Sequence, residues 1–435
     1  MIDELRQLAL RQRGERLLRS VVAGCKRLLS ERGETNSMVI ARSLAEHIDE
    51  LDGWQLDAFF DYLARDLSPD PEAVLRCAQT YAAQRDAQSL IALVQTAEPA
   101  RQELLRRLNR TPGGTACILR LRRELLARLR GQPELMSLES DMLHLLSSWF
   151  NPGFLKMQRV DWNSPAQLLE KIIHHEAVHE IDGWDDLRRR LQPDRRCFAF
   201  FHPQLPGEPL IFVEVALLPD MPGAIAPLID KASTPLLADR FRVAAFYSIS
   251  NCEPGLRGVS LGNFLIKSVA EQLQRELPRL KTFCTLSPIP GFSAWLLAEP
   301  DLAALAGIRR NVLGDLEEAR TALRAAVGGK LTELQHASTL NKLDDEMQSA
   351  LMSLAAAYLL HVSPTPGGDP VARFHLDNGA RLERLNWKGN LSPKGLKQAF
   401  GLMVNYLYDL EKIEASHEKF KQGEVARSRA VHTLM

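Results

Sequence analysis

The chain has no excess of charge of either sign and no long apolar run, and each absence excludes a class of protein. Its 435 residues carry 54 basic and 54 acidic side chains, so the formal net charge is zero. A dominant electrostatic partner such as duplex DNA or an anionic membrane surface is therefore not expected. No apolar stretch approaches the roughly 20 residues that a membrane-spanning helix requires. We expect no nucleic-acid or membrane partner.

Cysteine is scarce, and the six cysteines are scattered without any CxxC pair. This usage predicts reduced, mostly buried thiols rather than a disulfide framework or a zinc knuckle. The amino terminus reads as a charged amphipathic helix without the apolar core of a signal peptide. The last residues, HTLM, are not a recognised targeting tripeptide. Together these features predict a cytoplasmic protein.

The first third of the chain predicts a helical domain. Leu, Ala and Arg dominate up to about residue 150, and apolar residues recur every three or four positions. Turn residues at 53, 68–71 and 111–114 mark helix ends. This region has no catalytic cluster, which is typical of a module that packs against a partner subunit or its own catalytic domain. We place the hinge at residues 151–153 and predict domains over 1–153 and 154–435.

A glycine-bearing loop between a predicted strand and a predicted helix is the most informative stretch. Residues 243–249 are apolar, β-branched and aromatic, which predicts a strand, and a second strand is predicted over 281–286. Between them lie glycines at 255, 258 and 262 and a helix with a four-residue apolar step. The apolar positions are Leu261, Leu265, Val269, Leu273 and Leu277. Such a loop can bind phosphate through its amides and the helix N-terminus, or be an ordinary βαβ connection.

The surrounding pattern predicts a layered α+β domain with a mostly antiparallel sheet. A helix is predicted from Ser164-Pro165 to about Arg190. Strands over 197–201 and 210–217 are joined by a proline-glycine turn. After further helices we expect a short strand around residue 375. A last helix is predicted to start at Ser392-Pro393 and to include residues 401–408.

The string His175-Glu176-Ala177-Val178-His179 matches HExxH, which on a helix supplies two zinc ligands and a general base. No third ligand lies at the offset that a metzincin requires. The alternative is that these residues cap or brace the first helix of the second domain. We predict no metal site.

Four further polar residues are candidates for chemistry, each with a structural alternative. Ser287 follows the second predicted strand, where ligands bind in layered sheets, but it can also be a turn serine. There is no GxSxG elbow, which argues against a hydrolase nucleophile. His375 lies on a short apolar strand and becomes catalytic only if the fold brings it to Ser287. Asn405 and Tyr408, three residues apart, share one face of the predicted last helix and are candidate substrate-binding groups or core residues.

Several long strings together closely resemble malonyl-CoA decarboxylases over roughly residues 168–408. The strings are HPQLPGEPLIFVEVAL, AFYSIS, GLRGVSLGNFLIK, LQRELPRL, TLSPIPGFSAWL, FHLDNGARLERLNW and GLMVNYLY. The resemblance implies an all-helical N-terminal oligomerisation domain, forming a dimer or tetramer. It also implies a catalytic domain of the acetyltransferase-like (GNAT) fold, with a mixed, mostly antiparallel sheet and helical insertions.

The resemblance also implies site residues. The family's catalytic serine and histidine match Ser287 and His375, and supporting polar positions match Ser248 and Tyr408. The loop that binds the CoA pyrophosphate falls on Arg257, Gly258, Val259, Ser260, Leu261, Gly262 and Asn263. Some relatives carry Glu where this chain has Ser260, which leaves the role of that carboxylate open here. Animal relatives end in a peroxisomal signal that this chain lacks, which points to a bacterial cytoplasmic enzyme.

The activity that the resemblance implies is conversion of malonyl-CoA to acetyl-CoA and CO₂, with CoA carried by the substrate and no other cofactor. The alternative within the same fold is a CoA-dependent acyltransferase, which would require an acceptor groove. A CoA-sensing scaffold without turnover and a zinc hydrolase are the other two alternatives.

Overall fold

Helices occupy the first third of the computed structural model, which describes residues 2–259, 261–365 and 367–435, apart from the side chains of 2–9, 152 and 262–264. These helices are α1 (Ile2–Ser30), α2 (Glu34–Asp49), α3 (Gly53–Arg65), α4 (Pro71–Gln84), α5 (Ala87–Ala97), α6 (Ala100–Asn109), α7 (Gly114–Arg128) and α8 (Met136–Trp149). Each predicted stop falls at a junction between two of them, where Gly53, Pro71 and Gly114 are the first residues of α3, α4 and α7. The prediction of an all-helical N-terminal region is confirmed.

Local chemistry explains where these helices begin. The Asp70 side chain accepts a hydrogen bond from the Glu72 amide at the start of α4, with Pro71 in the first helical position. At the start of α7, Gly113 has φ +80°, a conformation that favours glycine. A Cβ on Gly114 would lie 1.8 Å from the carbonyl oxygen of Leu108, so only glycine allows α6 and α7 to approach this closely.

A seven-stranded sheet organises the second part of the chain in the order β1-β2-β3-β4-β5-β7-β6 within the described residues. The strands are β1 (Lys156–Val160), β2 (Arg195–Phe201), β3 (Pro209–Leu218), β4 (Val243–Asn251), β5 (Thr282–Thr285), β6 (Arg381–Asn386) and β7 (Met403–Tyr408). Pairing is antiparallel for β3–β4, β5–β7 and β6–β7 and parallel for β4–β5. The predicted mixed, mostly antiparallel sheet is confirmed.

The parallel pair β4–β5 is connected by the predicted helix. That helix spans Gly262–Glu276, and Leu265, Val269 and Leu273 on its four-residue ridge are fully buried. A parallel pair requires a crossover connection, usually a helix, that packs its apolar face on the sheet. The predicted strand, loop, helix and strand are therefore all present.

The remaining helices cover and connect the sheet strands. They are α9 (Ala166–His175), α10 (Gly183–Arg190), α11 (Ala226–Ile229), α12 (Gly262–Glu276), α13 (Phe292–Leu297), α14 (Arg310–Ala326), α15 (Ala337–Leu340), α16 (Asp345–Ala357), α17 (Pro370–Asp377), α18 (Pro393–Ala399), α19 (Ile413–Lys421) and α20 (Arg429–His432). The prediction of one helix from 164 to 190 was wrong, because the chain leaves helical geometry between α9 and α10.

The chain divides into two compact units. The first contains residues up to Lys156 together with Phe201–Leu210 and Cys252–Ser260, and the second contains the rest. The predicted boundary after residue 153 lies close to Lys156, and the two short segments were not part of that prediction. The six cysteines are thiols that form no disulfide, five of them buried and Cys77 partly buried. Across the described residues, no helix combines the length and apolar character needed to cross a membrane.

Candidate active site

One face of the sheet carries several of the polar residues that the sequence singles out. Strand β4 pairs with β5 so that Phe246 lies opposite Thr285. Since side chains alternate along a strand, Ser287, two residues after Thr285, lies on the same face as Thr285. On β4 a bulge at Tyr247 shifts the register between Phe246 and Ser248, so Ser248 pairs with Glu214 of β3. The opposite face carries Tyr247, Leu286 and Met403, which pack together in an apolar cluster. The sheet therefore separates a polar face from an apolar core.

Ser287 and His375 meet on the polar face. The Ser287 Oγ lies 3.0 Å from the His375 Nε2, although the two residues are 88 positions apart in the chain. On its other side, the His375 Nδ1 lies 2.9 Å from the Tyr408 Oη. Ser287 itself is fixed by paired backbone hydrogen bonds with Val404 of β7, of 2.8 and 2.9 Å. The structure thus brings together three of the predicted site residues.

Burial controls the protonation of this group. His375 and Tyr408 are each 3% exposed. Burial lowers the pKa of His375 to about 3, because the charged imidazolium loses its hydration. Burial also raises the pKa of Tyr408 well above its ordinary value. Near neutral pH the imidazole is therefore uncharged and the phenol keeps its proton, so Tyr408 can donate to His375.

His375 lies in helix α17, so the prediction of a strand at this position was wrong. The helix begins at Pro370, and the Asp369 side chain accepts hydrogen bonds of 3.0 Å from the amides of Val371 and Ala372. The other Asp369 oxygen accepts from the Gly291 amide at 2.9 Å, which ties α17 to the segment after Ser287. Aspartate followed by proline is a helix-start signal that the sequence contained.

Two residues of the site were missed from the sequence. Thr285 Oγ1 lies 2.9 Å from the Ser287 Oγ and also accepts a hydrogen bond from the Tyr406 amide. The Tyr406 ring stacks on the His375 imidazole with centroids 4.7 Å apart. Both residues precede a predicted site residue by two positions on a strand. The strand period of two was the signal that would have found them.

Asn405 lies apart from this group. Residues 403–408 form strand β7 rather than the predicted helix, so Asn405 and Tyr408 point to opposite faces of the sheet. The Asn405 amide is fully buried. Its hydrogen-bond partners are Arg384, Asn386 and the backbone carbonyls of Thr285 and Pro222. These contacts connect neighbouring strands and a loop, as expected of a structural residue. The substrate contact of Asn405 stays a prediction.

Ser248 is paired with a residue of the HExxH string. Its hydroxyl lies 2.8 and 2.7 Å from the two carboxylate oxygens of Glu176, and the Ser250 hydroxyl lies 3.2 Å from one of them. The same carboxylate accepts hydrogen bonds from the amides of Val178 and His179. Glu176 thus anchors the turn after α9 to β4.

The HExxH string does not have the geometry of a zinc site. Helix α9 ends at His175, and Glu176 has an extended backbone, so the two histidines do not share a helix face. Burial, more than the nearby charges of Arg190 and Lys394, lowers the pKa of His179 to about 3. Among the described residues, no cluster of three or more His, Cys, Asp or Glu side chains is arranged to hold a metal ion.

The predicted pyrophosphate loop begins in the first compact unit and is held there by Arg122 of α7. The guanidinium of this buried arginine donates to the carbonyl oxygens of Gly255 and Arg257, at 2.6 and 2.7 Å, and is paired with Glu139. Gly258 has φ +85°, which favours glycine. Of the predicted loop residues, Ser260 lies outside the described part of the chain, as does the side chain of Asn263.

Two family models match this chain, one in the helical first part and one in the part that contains the sheet. Residues 67–150 match the malonyl-CoA decarboxylase N-terminal domain, and residues 153–435 match the malonyl-CoA decarboxylase C-terminal domain. The chain is 39% identical over 332 residues to the mitochondrial malonyl-CoA decarboxylase of Anser anser anser, a match that covers 72% of this chain and 64% of the goose protein. It is 38% identical over 326 residues to the Rattus norvegicus protein, covering 72% of this chain and 66% of that protein.

Solved structures are similar over almost the whole chain. The crystal structure of malonyl-CoA decarboxylase from Rhodopseudomonas palustris has a TM-score of 0.83 and 46% sequence identity, covering 96% of this chain and 99% of that one. The enzyme from Cupriavidus metallidurans has a TM-score of 0.75 and 36% identity, covering 97% of this chain and 100% of that one. From its family-model matches and these relatives, the chain belongs to the malonyl-CoA decarboxylase family.

Proposed function

We propose that this protein is a carboxy-lyase that converts malonyl-CoA to acetyl-CoA and CO₂. The observation that carries the proposal is the contact of 3.0 Å between the Ser287 Oγ and the His375 Nε2 on the polar face of the sheet. Family membership supports the substrate class. The chain spans 64% of the goose relative's length.

The electron flow requires no cofactor beyond the CoA of the substrate. When the bond between the α-carbon and the carboxylate breaks, its electron pair moves into the thioester carbonyl and forms an enolate. The enzyme has to orient the malonyl group, donate hydrogen bonds to the developing enolate oxygen, and deliver one proton to the α-carbon. The proton consumed in each turnover comes finally from solvent.

The hydrogen bonds of the site suggest how these tasks are divided. Tyr408 donates its proton to the His375 Nδ1, which leaves the His375 Nε2 as the N–H donor toward Ser287. Ser287 in turn donates to Thr285. In our proposal substrate binding turns the Ser287 hydroxyl from Thr285 to the malonyl group, to which it then donates, and His375 protonates the carbanion from Nε2. Loss of the Nε2 proton leaves an imidazolate. A thioester enolate is a stronger base than imidazolate, so an uncharged imidazole N–H is acidic enough for this step, and solvent then restores the proton.

The other predicted contacts complete the proposal. The CoA diphosphate is assigned to the loop of residues 257–263, and pantetheine to the edge of the strand ending at Ser250. Ser248 holds the malonyl carboxylate or orients His375. We also propose that the helical N-terminal domain forms the contacts of a homodimer or homotetramer, and that the enzyme is cytoplasmic.

Malonyl-CoA incubated with the purified protein and no acceptor tests the activity. We expect acetyl-CoA and CO₂ in equal amounts, followed by chromatography and by trapping of labelled CO₂. An acyltransferase would need an added amine before any product formed. A CoA-binding scaffold would bind malonyl-CoA without turnover, and either result would refute the proposed activity.

Substitution of the two central residues tests the site. Ser287→Ala and His375→Ala are each expected to lower kcat by roughly 10²- to 10⁴-fold, as found when a proton donor or an oxyanion donor is removed. Binding of CoA, measured by calorimetry, should change little because the cofactor's far end is bound elsewhere. Near-normal turnover in both variants would show that the chemistry occurs at another place.

A further inference from the structure

The Glu176 carboxylate is a buried group beside Ser248 and Ser250 that the proposed reaction does not use. Glu176 is 7% exposed, and Ser248 and Ser250 are 2% and 1% exposed. The Glu176 Oε1 accepts the amides of Val178 and His179 at 2.9 and 2.8 Å. Amide N–H groups only donate, so this oxygen is held as an unprotonated acceptor. The position of the carboxylate is therefore fixed by the backbone of its own turn.

The two serine hydroxyls next to this carboxylate can form only a limited set of hydrogen bonds. Ser250 Oγ accepts a hydrogen bond from the Ala177 amide at 3.2 Å and lies 3.2 Å from the Glu176 Oε2. Ser248 Oγ lies within 2.8 Å of both carboxylate oxygens. The two hydroxyl oxygens also lie 3.2 Å apart, and either can donate to the other. A hydroxyl has one proton to donate, and a carboxylate oxygen is a stronger acceptor than a hydroxyl. The Ser248 proton thus points to Glu176 and its lone pairs point away from it.

We propose that Glu176 is a positioning residue that takes the proton of Ser248 and so makes the Ser248 Oγ a hydrogen-bond acceptor toward the acyl-CoA. The inference rests on the proposed function, because it assumes that Ser248 contacts the substrate. It selects between the roles open to Ser248. A second carboxylate at this oxygen would meet lone pairs and the charge of Glu176, so Ser248 does not hold the malonyl carboxylate. It accepts from an N–H group, either of pantetheine or of the protein.

The variant Glu176→Gln tests this directly. Glutamine keeps the oxygen that accepts the two amides and replaces the other oxygen with an NH₂ group, which donates to Ser248 and reverses that hydrogen bond. We expect kcat/KM for malonyl-CoA to fall roughly 10- to 100-fold with an unchanged melting temperature. The exposed Glu180, four positions along the chain, supplies the matched control Glu180→Gln, which should behave as the parent protein.

A double-mutant cycle separates positioning from a structural role. If Glu176 acts through Ser248, Glu176→Gln and Ser248→Ala should lose activity to a similar extent, and the double variant should lose no more than either single one. Additive losses, a parent-like Glu176→Gln, or tighter malonyl-CoA binding by Glu176→Gln would each overturn the proposal. The same four proteins can be compared by calorimetric binding of acetyl-CoA, which measures the coupling between Glu176 and Ser248 without any turnover. If the parent protein does not decarboxylate malonyl-CoA, the proposed function is refuted, but this binding test of the Glu176 proposal still stands.

Discussion

The hydroxyl of Tyr408 is the one direct partner of the His375 Nδ1 that the described contacts show. Because burial lowers the pKa of His375 to about 3, the imidazole depends on hydrogen bonds rather than charge for its orientation. In the proposed mechanism the bond from Tyr408 selects the tautomer with the proton on Nε2, the atom that faces Ser287. Tautomer selection is therefore the role that we propose for Tyr408.

Tyr408→Phe is expected to lower kcat by roughly 10- to 100-fold with little change in KM, because the imidazole loses the donor that fixes its tautomer. Tyr406→Phe is the comparison. Within the described contacts the Tyr406 Oη has no hydrogen-bond partner, and the variant keeps the ring that stacks on His375. Steady-state kinetics of the two variants side by side should show a much larger loss for Tyr408→Phe. Equal losses would contradict the tautomer role.

The connection of β4 and β5 was predictable from sequence, whereas helix α17 and strand β7 were not predicted correctly. In α12 apolar residues recur at every fourth position over 15 residues, and this repeat predicts a helix even where single residues do not favour one. The segment 370–377 is too short to show such a repeat. Its helical conformation depends instead on the Asp369 cap. The helix starting at Pro393 ends early because Phe400 and Gly401 take φ +51° and +76°. Such left-handed residues stop a helix, and β7 follows.

Arg122 links helix α7 to the loop that precedes α12, and both groups lie in the first compact unit. Arg122→Met keeps most of the apolar stem but leaves the carbonyls of Gly255 and Arg257 without their donor. We expect the KM for malonyl-CoA to rise roughly tenfold with a smaller effect on kcat, because in our proposal this loop binds the CoA diphosphate and its displacement weakens that binding. The exposed neighbour Arg123 gives the matched control Arg123→Met. A lower kcat at constant KM would contradict the role of Arg122 in binding.

The two faces of β7 have different roles, and Asn405→Leu separates them. Leucine is similar in size but leaves the polar partners of Asn405 without hydrogen bonds in a fully buried place. We expect the free energy of unfolding to fall by about 2–4 kcal/mol. The KM of the folded fraction should stay close to that of the parent protein. Urea unfolding and steady-state kinetics of the variant together distinguish a structural role from substrate binding. Normal stability with a raised KM would make Asn405 a substrate-binding residue.

For the whole molecule, composition and periodicity predicted a helical first part and a mixed-sheet second part. They did not predict that residues 201–210 and 252–260 join the first compact unit. That arrangement depends on single long-range contacts, such as Arg122 with the carbonyls of Gly255 and Arg257. It depends too on the close approach of Gly255 to the Leu119 carbonyl, where a Cβ would lie at 2.4 Å. Local sequence patterns do not encode contacts of this kind.

Buried histidines set how the stability of the whole molecule depends on pH. Burial lowers the pKa of both His179 and His375 from 6.5 to about 3. Between these values the unfolded chain binds protons that the folded chain does not, so the stabilisation is lost as the pH falls. Glu214 acts in the opposite direction at higher pH, because burial outweighs the attraction of Arg190 and raises its pKa to about 8. The acid loss should therefore be steepest below about pH 4.5, where the Glu214 contribution is complete.

We therefore expect the urea midpoint to fall between pH 6 and pH 4, and His375→Gln to lessen this dependence. Removing one histidine that stays neutral in the fold should reduce the slope by up to about 1.4 kcal/mol per pH unit. The exposed His174 next to α9's end supplies the control His174→Gln, which makes the same substitution at the surface. The measurement is urea unfolding at fixed protein concentration, since assembly also contributes to stability. An identical slope in the His375→Gln variant would mean that His375 takes up its proton over the same pH range in the folded protein as in the unfolded chain, which would contradict the lowered pKa.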